Sequence, residues 1–370
     1  MHRTAVVMVG GLLAATGIAA GWFAFSDGRE HGATRDTSNR PSERASGVLG
    51  TVWVANEGSS SLTGFDASTG RIVATVADMP GPHNVQATGT RSVLAVSSDS
   101  MVHVIDLSTM TATSAAPTGT HPAHVVASPD GSRVYVSNSG DDTVSIFDGA
   151  LRPLGSVAVG DFPHGLRPSP DGRWLLVANM GGTTASLVDT RTREVAAAIE
   201  VGAAPVQTAF HPDEAWAYVT LNGDDEIARI DLATRKVVAR QQVDPGPVQS
   251  FVTPDGTRIV VASQGTEERP SRTVAVLDAR TLRSLGTIET GEGAHGVVVE
   301  PSSRFAYVTN IYGATTSIVD LREMRVTRTI RTGEEPNGIT FAPHVHTDGM
   351  PERMEIAGAD ETEHGHDAQA

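Results

Sequence analysis

Apolar residues in this chain come in short runs bounded by polar turns, and the runs recur on a fixed spacing. The unit is clearest over residues 163–189. Pro163 is followed seven residues later by Pro170 in S-P-D-G, then by the apolar run 174–178, Asn179, a polar turn, a second short run and Asp189. The same interval separates Pro122 from Pro129, Pro205 from Pro212, Pro247 from Pro254 and Pro336 from Pro343, with degenerate copies at Pro82 and Gly89 and at Ala294 and Pro301. The seven starts are 40, 41, 42, 42, 47 and 42 residues apart. Such a period belongs to propellers and solenoids rather than to one irregular domain.

Each unit reads as four short strands. The first follows the opening residue, and Asp130-Gly131, Asp171-Gly172 and Asp255-Gly256 supply the turn to the second. The third ends at Asp66, Asp106, Asp148, Asp189, Asp231, Asp278 and Asp320, whose carboxylates are expected to brace the turn to the fourth. The repeat begins in mid-unit at residue 50 and ends at Pro343 on an opening segment with no continuation. The prediction is an all-β, seven-bladed β-propeller over residues 49–343, closed by pairing its C-terminal strand with the N-terminal blade segment.

The flanks differ in kind. Residues 4–25 carry no charge and follow Arg3, which describes an export signal or a signal anchor over residues 1–25. The protein is therefore expected outside the cytoplasm: secreted, periplasmic, or tethered to a membrane through that segment. Residues 26–48 read as a disordered linker. Residues 344–370 hold seven acids, one Arg and four histidines (His344, His346, His364, His366) and read as a disordered acidic tail.

Bulk composition removes several function classes. A net charge of −15 offers no basic face for nucleic acid. The absence of cysteine excludes disulfides, thiolate metal sites, a nucleophilic Cys and c-type haem attachment. No G-x-S-x-G nucleophile motif is present, and no catalytic residue is assigned. A monomeric ring is expected.

Tyr135-Val136-Ser137-Asn138, Val177-Ala178-Asn179 and Tyr307-Val308-Thr309-Asn310 each precede a strand like T-V-S-I-F-D. In this the chain resembles the YVTN-repeat, YncE-like β-propellers, across all seven units. Ser98 lies in the region of the motif Asn in one copy, and Leu221 and Ser263 replace it in two others. The resemblance implies an exported binding or surface protein; relatives by architecture include lactonases, haem-binding propellers of nitrite reductases and periplasmic metal-handling proteins.

In such a ring the residue after each opening position lies at one mouth of the central channel. These residues are His83, Ala123, His164, Val206, Val248, His295 and Asn337. Three imidazoles among seven equivalent positions, with His124 one residue further along in its copy, form a candidate Zn²⁺ or Cu²⁺ site. Asn179, Asn310 and Glu292 are expected on the same ligand face. An insertion of five residues between Ser263 and Thr273 falls there too. The readings left open are a binding scaffold for a small ligand, metal or protein, a Zn or Cu handling protein, and a lactonase-like hydrolase, for which Glu57, Glu292, Glu334 and Glu335 are nearby acids.

Overall fold

The computed structural model describes residues 47–356. The segment 1–25 and most of the linker lie outside the described residues, as does the end of the tail from 357. Among the described residues no helix is long and apolar enough to cross a membrane.

Seven antiparallel sheets succeed one another along the chain, six of four strands and one of five. Blades are numbered here from the opening residue Pro82 as blade 1 to Pro336 as blade 7. Blade 3 shows how the pattern works: strands Pro163–Pro168, Trp174–Asn179, Thr184–Asp189 and Glu194–Glu200 lie side by side in chain order. Its second strand has Leu175, Leu176, Val177 and Ala178 all buried, because both of its faces pack against neighbouring blades. Burial of each larger apolar side chain stabilises the ring by about 1.5–3 kcal/mol. The outermost strand is mostly exposed and alternates accordingly.

Polar groups tie the blades where apolar contact alone would leave orphans. The Tyr307 hydroxyl donates to the Ala67 carbonyl at 3.0 Å, joining blades 6 and 7, and the Tyr218 hydroxyl donates to Ala279 at 2.7 Å, joining blades 4 and 5. The third-strand aspartates do what the sequence predicts. Asp66, Asp106, Asp148, Asp189, Asp231, Asp278 and Asp320 each accept at least one backbone N–H from the following turn. Gly131, Gly172 and Gly256 take φ values of 69°, 73° and 68° in the P-D-G turns, a conformation that asks for glycine.

The ring closes as expected. The innermost strand of blade 7 is Pro336–Ala342, paired antiparallel with Thr51–Asn56, followed by Ser61–Asp66 and Ile72–Ala77. The tail departs from the expectation of a structureless segment after Pro343. Arg353–Glu355 adds a fifth strand, parallel to Ile72–Ala77, held by Thr75 N–H to Glu352 O at 2.8 Å and Ile356 N–H to Ala77 O at 3.0 Å. An outer strand with free backbone groups is a template that Met354 and Ile356 cover with their side chains against blades 7 and 1.

The channel side of blades 2 to 6 carries one further device. The pairing of first and second strands slips between Pro122 and Val125, Pro163 and Leu166, Pro205 and Thr208, Pro247 and Ser250, and Ala294 and Val297. Such a bulge breaks strict alternation and re-aims side chains just after the opening residue.

Candidate metal centre at the channel mouth

His83, His124 and His164 meet at the mouth, each offering a ring nitrogen, with these nitrogens all within 4.8 Å of one another. Their rings stand 4.8 Å (His124 to His164), 5.4 Å (His83 to His164) and 5.8 Å (His83 to His124) apart. His124 belongs to the group because it follows the bulge of its blade. His295 does not belong to it, so the expected trigonal set of His83, His164 and His295 is replaced. Gln264, extended by the inserted loop of blade 5, holds His295 Nδ1 through its Oε1 at 2.7 Å and donates from its own Nε2 to the Tyr312 hydroxyl at 2.6 Å.

The ring tautomers follow from the partners. His83 Nδ1 lies 3.0 Å from Glu57 Oε2, and His164 Nδ1 lies 3.2 Å from the Val206 carbonyl oxygen. Both oxygens only accept, so both Nδ1 atoms carry the proton. Asn337 Nδ2 donates to the same Glu57 oxygen at 2.9 Å. The Nε2 atoms of the two rings face each other at 3.3 Å. A proton on one of the two nitrogens, or a cation between them, satisfies such an approach. Two nitrogens bound at about 2.05 Å to a tetrahedral Zn²⁺ would stand about 3.3 Å apart. His124 Nε2 is fully buried with no partner, a further unmet donor or acceptor at the same point.

Burial and neighbouring groups keep His124 and His164 neutral. Burial, then the neighbouring His83 and His295, pushes His164 down to about 3. Burial likewise places His124 well below its ordinary value. Burial opposes ionisation of Glu57, but hydrogen bonds and charge from His83 outweigh it with help from Asn337, and the carboxyl sits at about 2. Glu335 is raised, first by burial and then by Glu57, Glu334 and Glu267, so these four acids share the mouth. The room for the trio comes from Gly165: a Cβ there would meet Gln207 Oε1 and stand 2.5 Å from the Val206 oxygen. Gln207 in turn reaches His124 Nδ1 at 3.5 Å.

The other expected ligand-face residues are placed differently. Asn179 is fully buried; its Nδ2 donates to Thr184 Oγ1 at 2.9 Å and Ser186 Oγ at 3.0 Å, and its Oδ1 accepts from Gly160 N–H at 3.2 Å. Asn310 repeats this with Thr315, Ser317 and Gly291. Both clamp the chain crossing into their own blade and offer nothing to a ligand. Glu292 is half-buried at the mouth and ion-paired with Arg272. The sequence signal for Glu57 was its place in a loop of the mouth; Gln207, Gly165 and Gln264 had none.

The family comparison bears on the middle of the chain. Residues 112–224 match the YNCE-like beta-propeller family. Among curated proteins none matches the chain. Solved structures share the fold of this propeller at low identity. Hydrazine synthase of Kuenenia stuttgartiensis aligns with TM-score 0.65 and 20% identity over 71% of this chain and 90% of that one. A functionally unknown protein from Desulfotomaculum acetoxidans aligns with TM-score 0.69 and 14% identity over 81% and 100%. The dihydro-heme d1 dehydrogenase NirN in complex with DHE aligns with TM-score 0.57 and 17% identity over 79% and 66%.

Proposed function

We propose that this β-propeller is a binding scaffold whose channel mouth holds one divalent transition-metal ion, Zn²⁺ or Cu²⁺, on His83, His124 and His164. The observation that carries the reading is the pair of Nε2 atoms facing each other at 3.3 Å, each ring fixed by a partner on Nδ1, with His124 beside them. A carboxylate on one ligating His and a backbone carbonyl on another are the outer partners that orient imidazoles for metal. Three neutral imidazoles leave a fourth position open to solvent or ligand. The acids of the rim raise the local concentration of cations.

NirN was solved with DHE, but three rings this close converge on one small ion and leave no space between them for a macrocycle. The uncharged run 4–25 supports a location outside the cytoplasm, which cell fractionation would check.

Calorimetric titration of the full-length protein with Zn²⁺ and Cu²⁺ tests the metal reading. One ion per chain should bind at the mouth. Binding should be abolished by His164→Ala and by His83→Ala, and kept when His344, His346, His364 and His366 are all replaced by Ala. No uptake, or uptake undiminished by the first two substitutions, would overturn it.

A further inference from the structure

The opposite end of the channel has the reverse chemistry. Three residues beyond each mouth position the first strands place a second ring of side chains: Gln86, Val126, Arg167, Ala209, Phe251, Val298 and Thr340. Five of these, Gln86, Arg167, Phe251, Val298 and Thr340, line a cavity of about 370 Å³, a volume within the range of small-molecule sites. Pro254, Pro301 and Pro343 also line it, which puts it at the end of the P-D-G turns, away from the histidines.

Arg167 is the one charged residue of that lining. Its Nη1 donates to the neighbouring Leu166 carbonyl at 3.1 Å, and no carboxylate among the described residues pairs with it. Burial alone pulls its guanidinium down to about 10, with no acid nearby to offset the loss of water. A guanidinium presents five N–H donors in a planar fork that matches a carboxylate. The other polar side chains of the wall can also donate: Thr340 Oγ1 already accepts the Ala87 N–H at 2.9 Å, which leaves its own proton, and Gln86 carries an amide NH₂. The remaining wall is apolar and aromatic.

We propose that this end of the channel binds an organic monocarboxylate, its head on Arg167 and its apolar body against Phe251 and Val298. The site stands independently of the metal centre, since none of the three clustered histidines lines it.

The test is calorimetry on the full-length protein in EDTA, with straight-chain monocarboxylates from butanoate to decanoate and the primary amide of each. At least one acid should bind saturably, and its amide at least about tenfold more weakly. Arg167→Met, which removes a charge without a partner, should abolish binding. Val298→Phe keeps Arg167 and fills the cavity, and should abolish it as well. His83→Ala should leave it unchanged. The proposal is overturned if no acid of the series binds, if acids and amides bind alike, or if Arg167→Met binds as wild type does.

Discussion

A group that holds one nitrogen of a histidine orients the other, and at this mouth two of the three clustered imidazoles are held in this way. His83 is held by Glu57 and His164 by the Val206 carbonyl, so each presents Nε2 to the same point. His295 is equally placed in its repeat and more deeply buried; Gln264 holds its Nδ1, and its Nε2, without a partner, stands outside the group of three. Glu57 acts through His83 and is a positioning residue. Replacing it by Gln keeps the size of the side chain and removes the charge that fixes the Nδ1–H tautomer. Glu57→Gln should therefore weaken Zn²⁺ binding about 10- to 100-fold with a stability change under about 1 kcal/mol, read by calorimetry and chemical denaturation on the same samples. The three equivalent histidines were legible from spacing alone. Their partners were not, because Glu57 and Asn337 reach His83 from the two ends of the chain, and only ring closure brings those ends together.

At the level of the strand, repeated polar residues and unrepeated ones divide by role. The Asn that ends the second strand makes the same three hydrogen bonds in blades 2, 3, 6 and 7. In blade 1 its place is taken by Ser97, paired to Met101 in the ladder, rather than by the neighbouring Ser98. There Ser97 donates to Asp99 at 2.5 Å and meets His103 Nε2 at 3.3 Å. Ser, His and Asp come together, but the Asp contacts the Ser and leaves His103 Nδ1 unpartnered in a buried place, so the set lacks the order of a hydrolytic triad. Asn179→Ala removes three buried bonds and strands the Gly160 N–H. It should destabilise the ring by about 2–4 kcal/mol in a denaturant titration while Zn²⁺ affinity per folded molecule stays at the wild-type value. A loss of affinity without loss of stability would instead return Asn179 to the ligand face. Strand order, turn residues and bracing aspartates could all be read from the repeat, since each depends on neighbours within one unit. The bulges could not: they appear only as a slip in pairing between strands, and they are what brings His124 to the centre.

The described residues form a closed ring whose channel has two unlike ends. The mouth gathers imidazoles and carboxylates, and the far end holds one unpaired guanidinium in an apolar wall. Closure by Pro336–Ala342 against Thr51–Asn56 followed from a repeat that begins in mid-unit. The fifth strand, Arg353–Glu355, did not follow from anything local, because seven acids with few apolar residues gave the tail no strand signature. It is formed by the free edge of blade 7, with Met354 and Ile356 as the only apolar anchors needed. The proposed site depends on the ring at this scale: His83, His124 and His164 come from three blades and the groups orienting them from blades 4 and 7. The most direct test is anomalous diffraction at the zinc edge from crystals of the full-length protein grown with one equivalent of Zn²⁺. A single strong peak about 2.0–2.1 Å from Nε2 of both His83 and His164, with His124 as the third ligand, is the predicted result. Zinc found only at the tail histidines, or none at the channel mouth, would contradict it.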